Sequence, residues 1–322
     1  MALAEPGDRP VRASVIVPVR NATKTLPRTL DALTRQVVGE LYEVIVVDDG
    51  SDDGSAELAE HAPGPIRVLR QAGAGAAAAR NRGAAAARGA AICFTDADCF
   101  PTPGWLAAGL RALERAELVQ GAVRPDPDAA RTPFDHTLRV LRETGLYETA
   151  SLFVRRDLFD ALDGFELWLE LEVGRPMAED VWFGWRARRA GATVAFEADA
   201  LVHHAVIAQR PLAFILERRR LRYFPAIAAK MPEIRREMLF ARLFLSRRSA
   251  AFDSAVLAVA AALAVRSVAP LLAAGPYAWS LSRTARRWGP KGPEASAVHA
   301  VRDLVGLVSL VRGSVRYRSP VL

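Results

Sequence analysis

The 322-residue chain is poor in cysteine and has no uninterrupted apolar run of the length that a membrane span needs. Its two cysteines, Cys93 and Cys99, exclude a disulfide framework and predict reduced thiols and a cytosolic catalytic face. The first twelve residues lack a basic stretch followed by an apolar one, so a secretory signal is not expected. A span requires about 20 predominantly apolar residues, but Ala250–Val265 stops at Arg266 and Ser267–Ser282 contains two prolines.

The net charge of +7 is unevenly distributed along the chain. Residues 1–204 carry 23 Lys and Arg against 30 Asp and Glu, whereas residues 205–322 carry 20 against 6. This division predicts an acidic domain over 1–204 and a basic helical region over 205–322. An acidic domain that handles phosphates needs a metal ion between like charges, while the basic region is free to meet an anionic surface.

Short apolar segments rich in β-branched residues alternate with helical patterns in the first half of the chain. The predicted strands are Ala13–Val19, Tyr42–Val47, Ile66–Leu69 and Ala91–Thr95. This alternation predicts an α/β fold with a mainly parallel sheet and helices on both faces. Ligands bind beyond the carboxyl ends of such strands, so the polar segments at residues 18–21, 48–53 and 96–98 are expected to converge on one cleft.

The sequence Asp96-Ala97-Asp98 directly follows the fourth predicted strand. Two carboxylates at this spacing can bind Mg²⁺ or Mn²⁺, hard cations that take oxygen ligands and keep positions open for phosphate oxygens. The alternative is a solvated turn that caps a helix. The position at the end of a buried strand favours the metal site.

Six segments occur in the order found in family 2 glycosyltransferases, which the chain resembles over about residues 13–204. They are Ser14–Asn21, Val46–Ser51, Ala79–Gly83, Phe94–Asp98, Asp163–Glu166 and Glu179-Asp180. An ordered set is far more specific than any one of its members. The resemblance implies the GT-A fold and the inverting transfer of a sugar from a nucleoside diphosphate sugar to a hydroxyl acceptor.

The resemblance also implies roles at the nucleotide and the metal. Asp48 and Asp49 are similar to the pair that contacts the base and the ribose. Asp98 resembles the metal-binding carboxylate, and a late histidine often completes the metal shell. Either His203 or His204 can do so here, and the motif order favours His204. The other expected contacts to the nucleotide sugar are Pro18, Val19, Arg20, Asn21, Arg80, Asp96 and Ala97.

At the acceptor side, Asp180 resembles the general base, with Glu179 beside it as a second catalytic carboxylate. An acceptor hydroxyl is a poor nucleophile, and a positioned base typically contributes about 10²–10⁴-fold. The alternative is that both acids only favour a helix N-terminus. Gly164, Phe165 and Trp182 are candidates for the sugar or acceptor pocket, although core packing explains the aromatic residues equally well.

Two departures from the family pattern narrow the expected function. Arg20 stands where many relatives have an aromatic residue, so contacts to the base are expected to differ. No Gln-x-x-Arg-Trp sequence follows Asp180, which argues against a processive synthase. The donor is expected to carry UDP, GDP or dTDP, and the acceptor to be a glycan or a lipid-linked hydroxyl.

The basic region predicts a partner for the second half of the chain. Leu212–Phe224 and Ile234–Arg248 are amphipathic and rich in arginine, which suits the anionic cytoplasmic face of a membrane. The alternative is that these segments fold back on the catalytic domain or pair in a homodimer.

Two other functions were weighed against sugar transfer. Gly73–Ala78 follows a strand and opens a helix, as a dinucleotide-binding loop would, so an NAD(P)-dependent oxidoreductase is the rival reading. That loop follows the third strand, not the first, and the rival explains neither Asp48-Asp49 nor Glu179-Asp180. Nucleic-acid binding by the basic region is not expected, because its arginines are interleaved with Leu, Phe and Ile at helical spacing.

Overall fold

The computed structural model describes residues 10–169 and 177–322, which form two compact units. The catalytic unit comprises the chain up to Ala129 together with Thr137–Val206, and the helical unit comprises Ala130–His136 and Ile207–Leu322. The division after Val206 lies two residues beyond the predicted one. The assignment of Ala130–His136 to the helical unit has no counterpart in the sequence pattern.

The catalytic unit is built on one eight-stranded sheet in the order β3-β2-β1-β4-β8-β6-β9-β5. The strands are β1 Ala13–Val19, β2 Tyr42–Asp49, β3 Ile66–Gln71, β4 Ala91–Phe94, β5 Cys99–Pro101, β6 Leu118–Pro125, β8 Leu152–Arg155 and β9 Val194–His204. Neighbours are parallel from β3 through β4 and between β6 and β9, whereas β8 and β5 are antiparallel to their neighbours. The predicted mainly parallel α/β sheet is therefore confirmed.

Helices connect these strands as the alternating pattern predicts. They are α1 Leu26–Thr34, α2 Ser55–Glu60, α3 Ala76–Ala86, α4 Trp105–Leu113, α5 Arg156–Ala161 and α6 Glu179–Arg189. In α1, Leu26, Leu30 and Leu33 are buried at helical spacing and join the core that covers the sheet. Because β1 and β2 are buried along nearly their whole length, their apolar runs are continuous rather than alternating.

The helical unit contains the short β7 Asp135–His136, which pairs with β10 Ile207–Ala208. Its helices are α7 Pro211–Leu216, α8 Phe224–Lys230, α9 Ile234–Glu237, α10 Arg247–Val265, α11 Gly275–Trp288 and α12 Gly292–Arg316, with a 3₁₀ segment at Glu217–Tyr223. The predicted amphipathic segment Ile234–Arg248 is not one helix. The helix ends at Glu237, and farther along Ala241 and Arg242 adopt left-handed backbone with φ of 50° and 61°, which a continuous helix over this segment does not allow.

Three helices of this unit meet at a buried acidic residue. Asp303 of α12 accepts a hydrogen bond from Arg248 Nε of α10 at 2.9 Å and one from the Tyr277 hydroxyl of α11 at 2.9 Å. The charge of Asp303 therefore has a cationic partner and a hydroxyl donor inside the bundle, as a buried carboxylate requires.

Helix α10 differs from a core helix in how much of it is exposed. Among the described residues it is the one helix long and apolar enough to cross a membrane by length and composition, with a mean hydropathy of 1.5 over an 18-residue window of which 17% is buried. On sequence alone the run Ala250–Val265, which stops at Arg266, does not predict a clean span. The helix that contains it begins at Arg247 and has 19 residues.

Candidate active site

The loops that follow β1 and β2 are joined by side-chain hydrogen bonds. Asn21, in left-handed backbone with φ of 54°, accepts a hydrogen bond from the Asp52 amide on Oδ1 at 3.0 Å, and its own amide donates to Ser51 Oγ at 3.0 Å. Asp48 lies at the end of β2 and is buried, and both of its oxygens lie 3.3 Å from the Ser51 amide. Pro18, Val19, Asn21 and Asp48 thus lie together at the carboxyl edge of the sheet.

The carboxylate of Asp49 is hydrogen-bonded to the end of β3 and the loop that follows it, at the same edge of the sheet. It accepts hydrogen bonds from Gln71 Nε2 at 2.7 Å, from the Ala74 amide at 2.7 Å and from the Gly75 amide at 2.9 Å. Arg20 Nη1 lies 3.8 Å from Oδ2. The structure therefore places Asp49 as the group that fixes the loop between β3 and α3, and leaves the predicted contact with the nucleotide more readily to Asp48.

A buried arginine connects two distant parts of the site. Arg80 of α3 is 6% exposed and donates to Asp96 Oδ1 at 2.7 Å and to Glu179 Oε1 at 3.2 Å. Burial lowers the pKa of Arg80, but the neighbouring Asp96 and Glu179 outweigh that effect and raise the pKa above its ordinary value. Arg80 is therefore a fixed cation that holds the turn after β4 against the start of α6.

Asp98 and His204 are brought together by strand register. Cys99 of β5 lies opposite His204 at the end of β9, so the preceding Asp98 has its Oδ2 3.7 Å from His204 Nε2. The other ring nitrogen, Nδ1, lies 2.7 Å from the Ala205 carbonyl oxygen. A carbonyl can only accept, so Nδ1 carries the proton and Nε2 presents a lone pair on the side of Asp98.

This pair fits a divalent cation. Two ligands that each lie about 2.0–2.2 Å from one ion are at most about 4.4 Å apart, and 3.7 Å is too long for a hydrogen bond. Among the described residues, the ligand atoms of Asp98, Cys99 and His204 all lie within 4.8 Å of one another. Burial raises the pKa of the Cys99 thiol well above its ordinary value, which disfavours the thiolate form that binds metals and makes Asp98 and His204 the better candidate ligands.

The turn that carries Asp98 is fixed by hydrogen bonds to its backbone carbonyls. Thr29 of α1 donates from its hydroxyl to the Ala97 carbonyl at 2.9 Å, and the Ala205 amide donates to the Asp98 carbonyl at 2.9 Å. Ala97 is buried. The backbone on both sides of the Asp98 carboxylate is therefore fixed, as a preorganised ligand requires.

Glu179 and Asp180 begin α6, directly after Ala178, whose φ of 66° is left-handed. Asp180 Oδ1 accepts a hydrogen bond from the Val181 amide at 2.8 Å, and the rest of the carboxylate is half-buried. Burial raises the pKa of Asp180 well above its ordinary value, the adjacent Glu179 raises it further, and Arg80 partly opposes both. An acid whose proton is bound more tightly than usual is suited to the role of a general base.

Sequence reasoning missed one carboxylate of this site, Glu148. It precedes a 3₁₀ turn at Thr149–Ser151 that leads into β8, and burial raises its pKa to about 7. Its Oε2 is buried and has no hydrogen-bond partner among the described residues. Its charge acts on Asp180. The sequence carries no signal for it, because it lies in an irregular stretch between two predicted elements.

The three candidates for the sugar or acceptor pocket are placed differently from one another. Phe165 is 3% exposed, and its ring packs in the core against other phenylalanines, 5.1 Å from Phe94 between centroids. Gly164 adopts φ of 61°, and a Cβ there would approach Asn81 Oδ1 to 2.7 Å. Trp182 is half-buried and donates from Nε1 to Glu166 Oε2 at 2.7 Å. The Phe165 ring therefore lies in the core and not among the polar side chains at the carboxyl ends of the strands.

Comparison with known proteins identifies the family. The sequence matches Glycosyl transferase family 2 over residues 14–166. It is 31% identical over 220 residues to the glycosyltransferase AglE of Haloferax volcanii, which covers 64% of this chain and 69% of AglE. The chain belongs to glycosyltransferase family 2. The uncharacterized glycosyltransferase EpsJ of Bacillus subtilis is 42% identical over 90 residues, but that match covers only 27% of this chain and 26% of EpsJ.

A solved structure supports the fold of the glycosyltransferase. The mannosyltransferase PcManGT of Pyrobaculum calidifontis, in complex with GDP-Man and Mn²⁺, matches with a TM-score of 0.56 and 21% identity. The match covers 98% of this chain and 88% of PcManGT. At this identity the likeness shows the fold alone, an α/β fold of the GT-A type, and confirms that part of the expectation.

Family membership and geometry together remove the rival function. The glycine-rich loop after β3 would have to offer its amides to a pyrophosphate in a dinucleotide-binding enzyme. In the glycosyltransferase the amides of Ala74 and Gly75 already donate to the buried Asp49. The NAD(P)-binding alternative is therefore not supported.

Proposed function

We propose that this glycosyltransferase moves a sugar from a nucleoside diphosphate sugar to a hydroxyl acceptor with inversion, in a reaction that depends on a divalent cation. The observation that supports the proposal best is the pairing of Asp98 with His204 on the same sheet edge as Asp96, which Arg80 connects to Glu179 at the start of α6. A cation site and a candidate base are thereby held in one fixed arrangement.

Each group has a chemical task in that reaction. Asp180 takes the proton of the attacking hydroxyl, because its burial strengthens it as a base. Asp48 and the loops after β1 and β2 offer acceptors for the base and the ribose. Arg80, an expected contact of the nucleotide sugar, is bonded to Asp96 and Glu179 and so also fixes the relative position of these two carboxylates.

Asp98 and His204 would hold the cation, and the ligand types favour Mn²⁺ over Mg²⁺. Magnesium takes oxygen ligands almost exclusively, whereas an imidazole nitrogen suits transition ions. When bound, a divalent cation supplies a Lewis acid that stabilises the charge developing on the diphosphate.

The donor test measures release of nucleoside diphosphate from UDP, GDP and dTDP sugars, with a lipid extract and a glycan mixture as acceptors. We expect release with one nucleotide class in Mn²⁺, weaker release in Mg²⁺ and none in EDTA, with a product mass that increases by one sugar. Release that is equal with and without EDTA would contradict the cation dependence. No release from any of the three donor classes, with folded protein, would contradict the proposed function.

We further infer that the helical unit binds the anionic cytoplasmic surface of a membrane. Helix α10 and the segment after it expose large apolar side chains, with Leu257 70%, Leu263 76%, Val268 79% and Leu272 85% exposed. Exposed apolar groups at this density mark an interaction surface. Residues 207–322 of the unit carry all 20 basic residues of region 205–322 against 6 acidic ones, and each basic residue contributes on the order of 1 kcal/mol near an anionic leaflet.

Liposome flotation tests this inference. We expect the full chain to float with anionic vesicles, and part of that binding to survive high salt, because apolar contact is not screened. L263E/L272E should lose the salt-resistant part, whereas L41E, which changes a leucine of the catalytic unit that is 47% exposed, should not. A chain that stays with the soluble fraction in every condition and forms a dimer by light scattering would contradict membrane binding and favour helix pairing.

A further inference from the structure

The surroundings of the candidate base are acidic, and their cation is already engaged. The charges of Glu179 and Glu148 both act on Asp180 and raise its pKa. Arg80, the cation that acts on Asp180, is hydrogen-bonded to Asp96 and Glu179. No ion pair of Glu148 is present among the described residues, and burial raises the pKa of its carboxyl to about 7.

The backbone of Glu148 is fixed on one side by the sheet. Gln120 of β6 donates from Nε2 to the Glu148 carbonyl at 3.3 Å. Two residues on, the Ala150 carbonyl accepts a hydrogen bond from the Thr95 hydroxyl at 2.9 Å, and Thr95 directly precedes Asp96. These hydrogen bonds connect the segment of Glu148 to the end of β4, which leads into the turn at residues 96–98.

On its other side, the segment that ends at Glu148 is packed against α6. The Tyr147 ring lies so close to Gly184 that a Cβ there would approach it to 2.0 Å. Trp185 donates from Nε1 to the Gly145 carbonyl at 3.1 Å. Because α6 begins with Glu179 and Asp180, this contact sets the distance between Glu148 and the candidate base.

The carboxylate itself is unsatisfied. Glu148 Oε2 is buried and has no donor among the described residues, while the side chain as a whole is only half-buried. A buried polar atom without a partner costs stability. Such an atom beside a candidate active site is explained when a substrate supplies the missing donor.

We propose that Glu148 binds the acceptor by accepting a hydrogen bond from a hydroxyl next to the one that reacts. The acceptor is then a neutral polyol, a sugar with adjacent hydroxyls, and not a phosphate or a carboxylate. Hydroxyl groups donate to carboxylates, whereas an anionic acceptor would meet Glu148 and Asp180 as like charges. This inference rests on the proposed function and names its acceptor class.

The reaction step leaves Glu148 unchanged. The acceptor oxygen forms a bond to the anomeric carbon and gives its proton to Asp180. The bond from the anomeric carbon to the diphosphate oxygen breaks, and its electron pair leaves with the diphosphate. Glu148 orients the reacting hydroxyl through the neighbouring one, a contribution of position.

The experiment compares wild type, E148Q, E148A and the control E143Q. Glu143 lies in the same segment, and its carboxylate is 3.8 Å from Arg188. The probes are octyl glucoside, octyl galactoside and octyl mannoside, their monodeoxy analogues, and farnesyl phosphate, with the donor that wild type hydrolyses. We expect E148A to raise the KM for the best glycoside by about 10-fold to 100-fold, as for loss of a charged hydrogen bond, while E143Q keeps the wild-type KM.

A deoxy acceptor decides whether the contact is direct. The analogue that lacks the neighbouring hydroxyl should be poor with wild type, and E148A should no longer distinguish it from the parent glycoside. E148Q should fold at least as stably as wild type, because an unpaired buried carboxylate is removed. A lower melting temperature of E148Q with unchanged KM would show a structural role and overturn the proposal.

The acceptor panel separates the two proposals. Transfer to farnesyl phosphate in preference to every glycoside would overturn the inference about Glu148 while leaving sugar transfer intact. A wild type that hydrolyses none of the UDP, GDP and dTDP sugars in Mn²⁺ would instead contradict the proposed function itself.

Discussion

We expect Asp98→Asn to lower turnover by at least about 100-fold while the fold is retained. Loss of a group that only supports a metal ligand costs about 10–100-fold, so loss of a charged ligand should cost no less. The side chain is 32% exposed, so the substitution removes a charge without leaving a cavity. Steady-state turnover with saturating Mn²⁺ and donor measures the effect.

The matched control is Asp128→Asn, which makes the same change at a carboxylate whose side chain is 86% exposed. It should leave turnover within twofold. Binding supplies an independent readout, because Mn²⁺ should raise the melting temperature of wild type and of the control, but not of Asp98→Asn. Full activity of Asp98→Asn in the presence of a chelator would disprove the assignment of Asp98 to the metal.

The second large effect is expected for Asp180→Asn, which should lower turnover by about 10²–10⁴-fold and leave nucleotide affinity within a few-fold of wild type. Asparagine can keep the hydrogen bond from the Val181 amide to Oδ1, so the start of α6 should stay intact. The base acts on the acceptor and not on the donor. Product release measures turnover and calorimetry measures nucleotide affinity, so the effects of the substitution on the two can be separated.

The pH profile adds a direction to this prediction. A base works in its ionised form, and burial together with Glu179 raises the pKa of Asp180. Activity should therefore fall on acidification at a pH above the ordinary range of an aspartate, and this limb should be absent from the residual activity of Asp180→Asn. Asp160→Asn, a change at an exposed carboxylate on α5, should retain the wild-type profile. Equal losses of affinity and turnover in Asp180→Asn would instead identify Asp180 as a donor ligand or a helix cap.

The sequence allowed the parallel half of the sheet to be predicted, because strands buried on both faces are continuous apolar runs. The ends of the individual strands were less well predicted. The second strand extends beyond Val47 through Asp48 and Asp49, which pair with Arg70 and Gln71 of β3. Polar residues at a strand end look like a loop in sequence, and only the neighbouring strand shows that the ladder continues.

The proximity of Asp98 and His204 shows which part of the candidate site depends on strand register. Sequence patterns favoured His204 over His203 only through motif order, since both residues are adjacent. Alternation along β9 sends the two rings to opposite faces, and pairing with Cys99 puts His204 next to Asp98. The pKa of His203 is lowered by burial and raised by Asp126, in a different environment.

Glu148 and the interruption of the 234–248 segment could not be predicted, for different reasons. Glu148 directly follows Tyr147, whose ring packs against Gly184, a residue 37 positions away with which it shares no sequence pattern. In the helical unit, amphipathic spacing over 234–248 was correct for the composition, but left-handed backbone at Ala241 and Arg242 interrupts the helix. Local periodicity reports a preference, and tertiary contacts decide the outcome.

Arg80 has a consequence for how mutants of this enzyme are to be interpreted. Its side chain is hydrogen-bonded to Asp96 and Glu179, residues that are 83 positions apart. Arg80 therefore connects the turn proposed to bind the donor with the start of α6, which is proposed to act on the acceptor. We expect an Arg80 variant to lose alignment between the two substrates even where it keeps affinity for each. Its kinetic defect would then include misalignment of the reacting atoms and could not be read as lost charge stabilisation of the diphosphate alone.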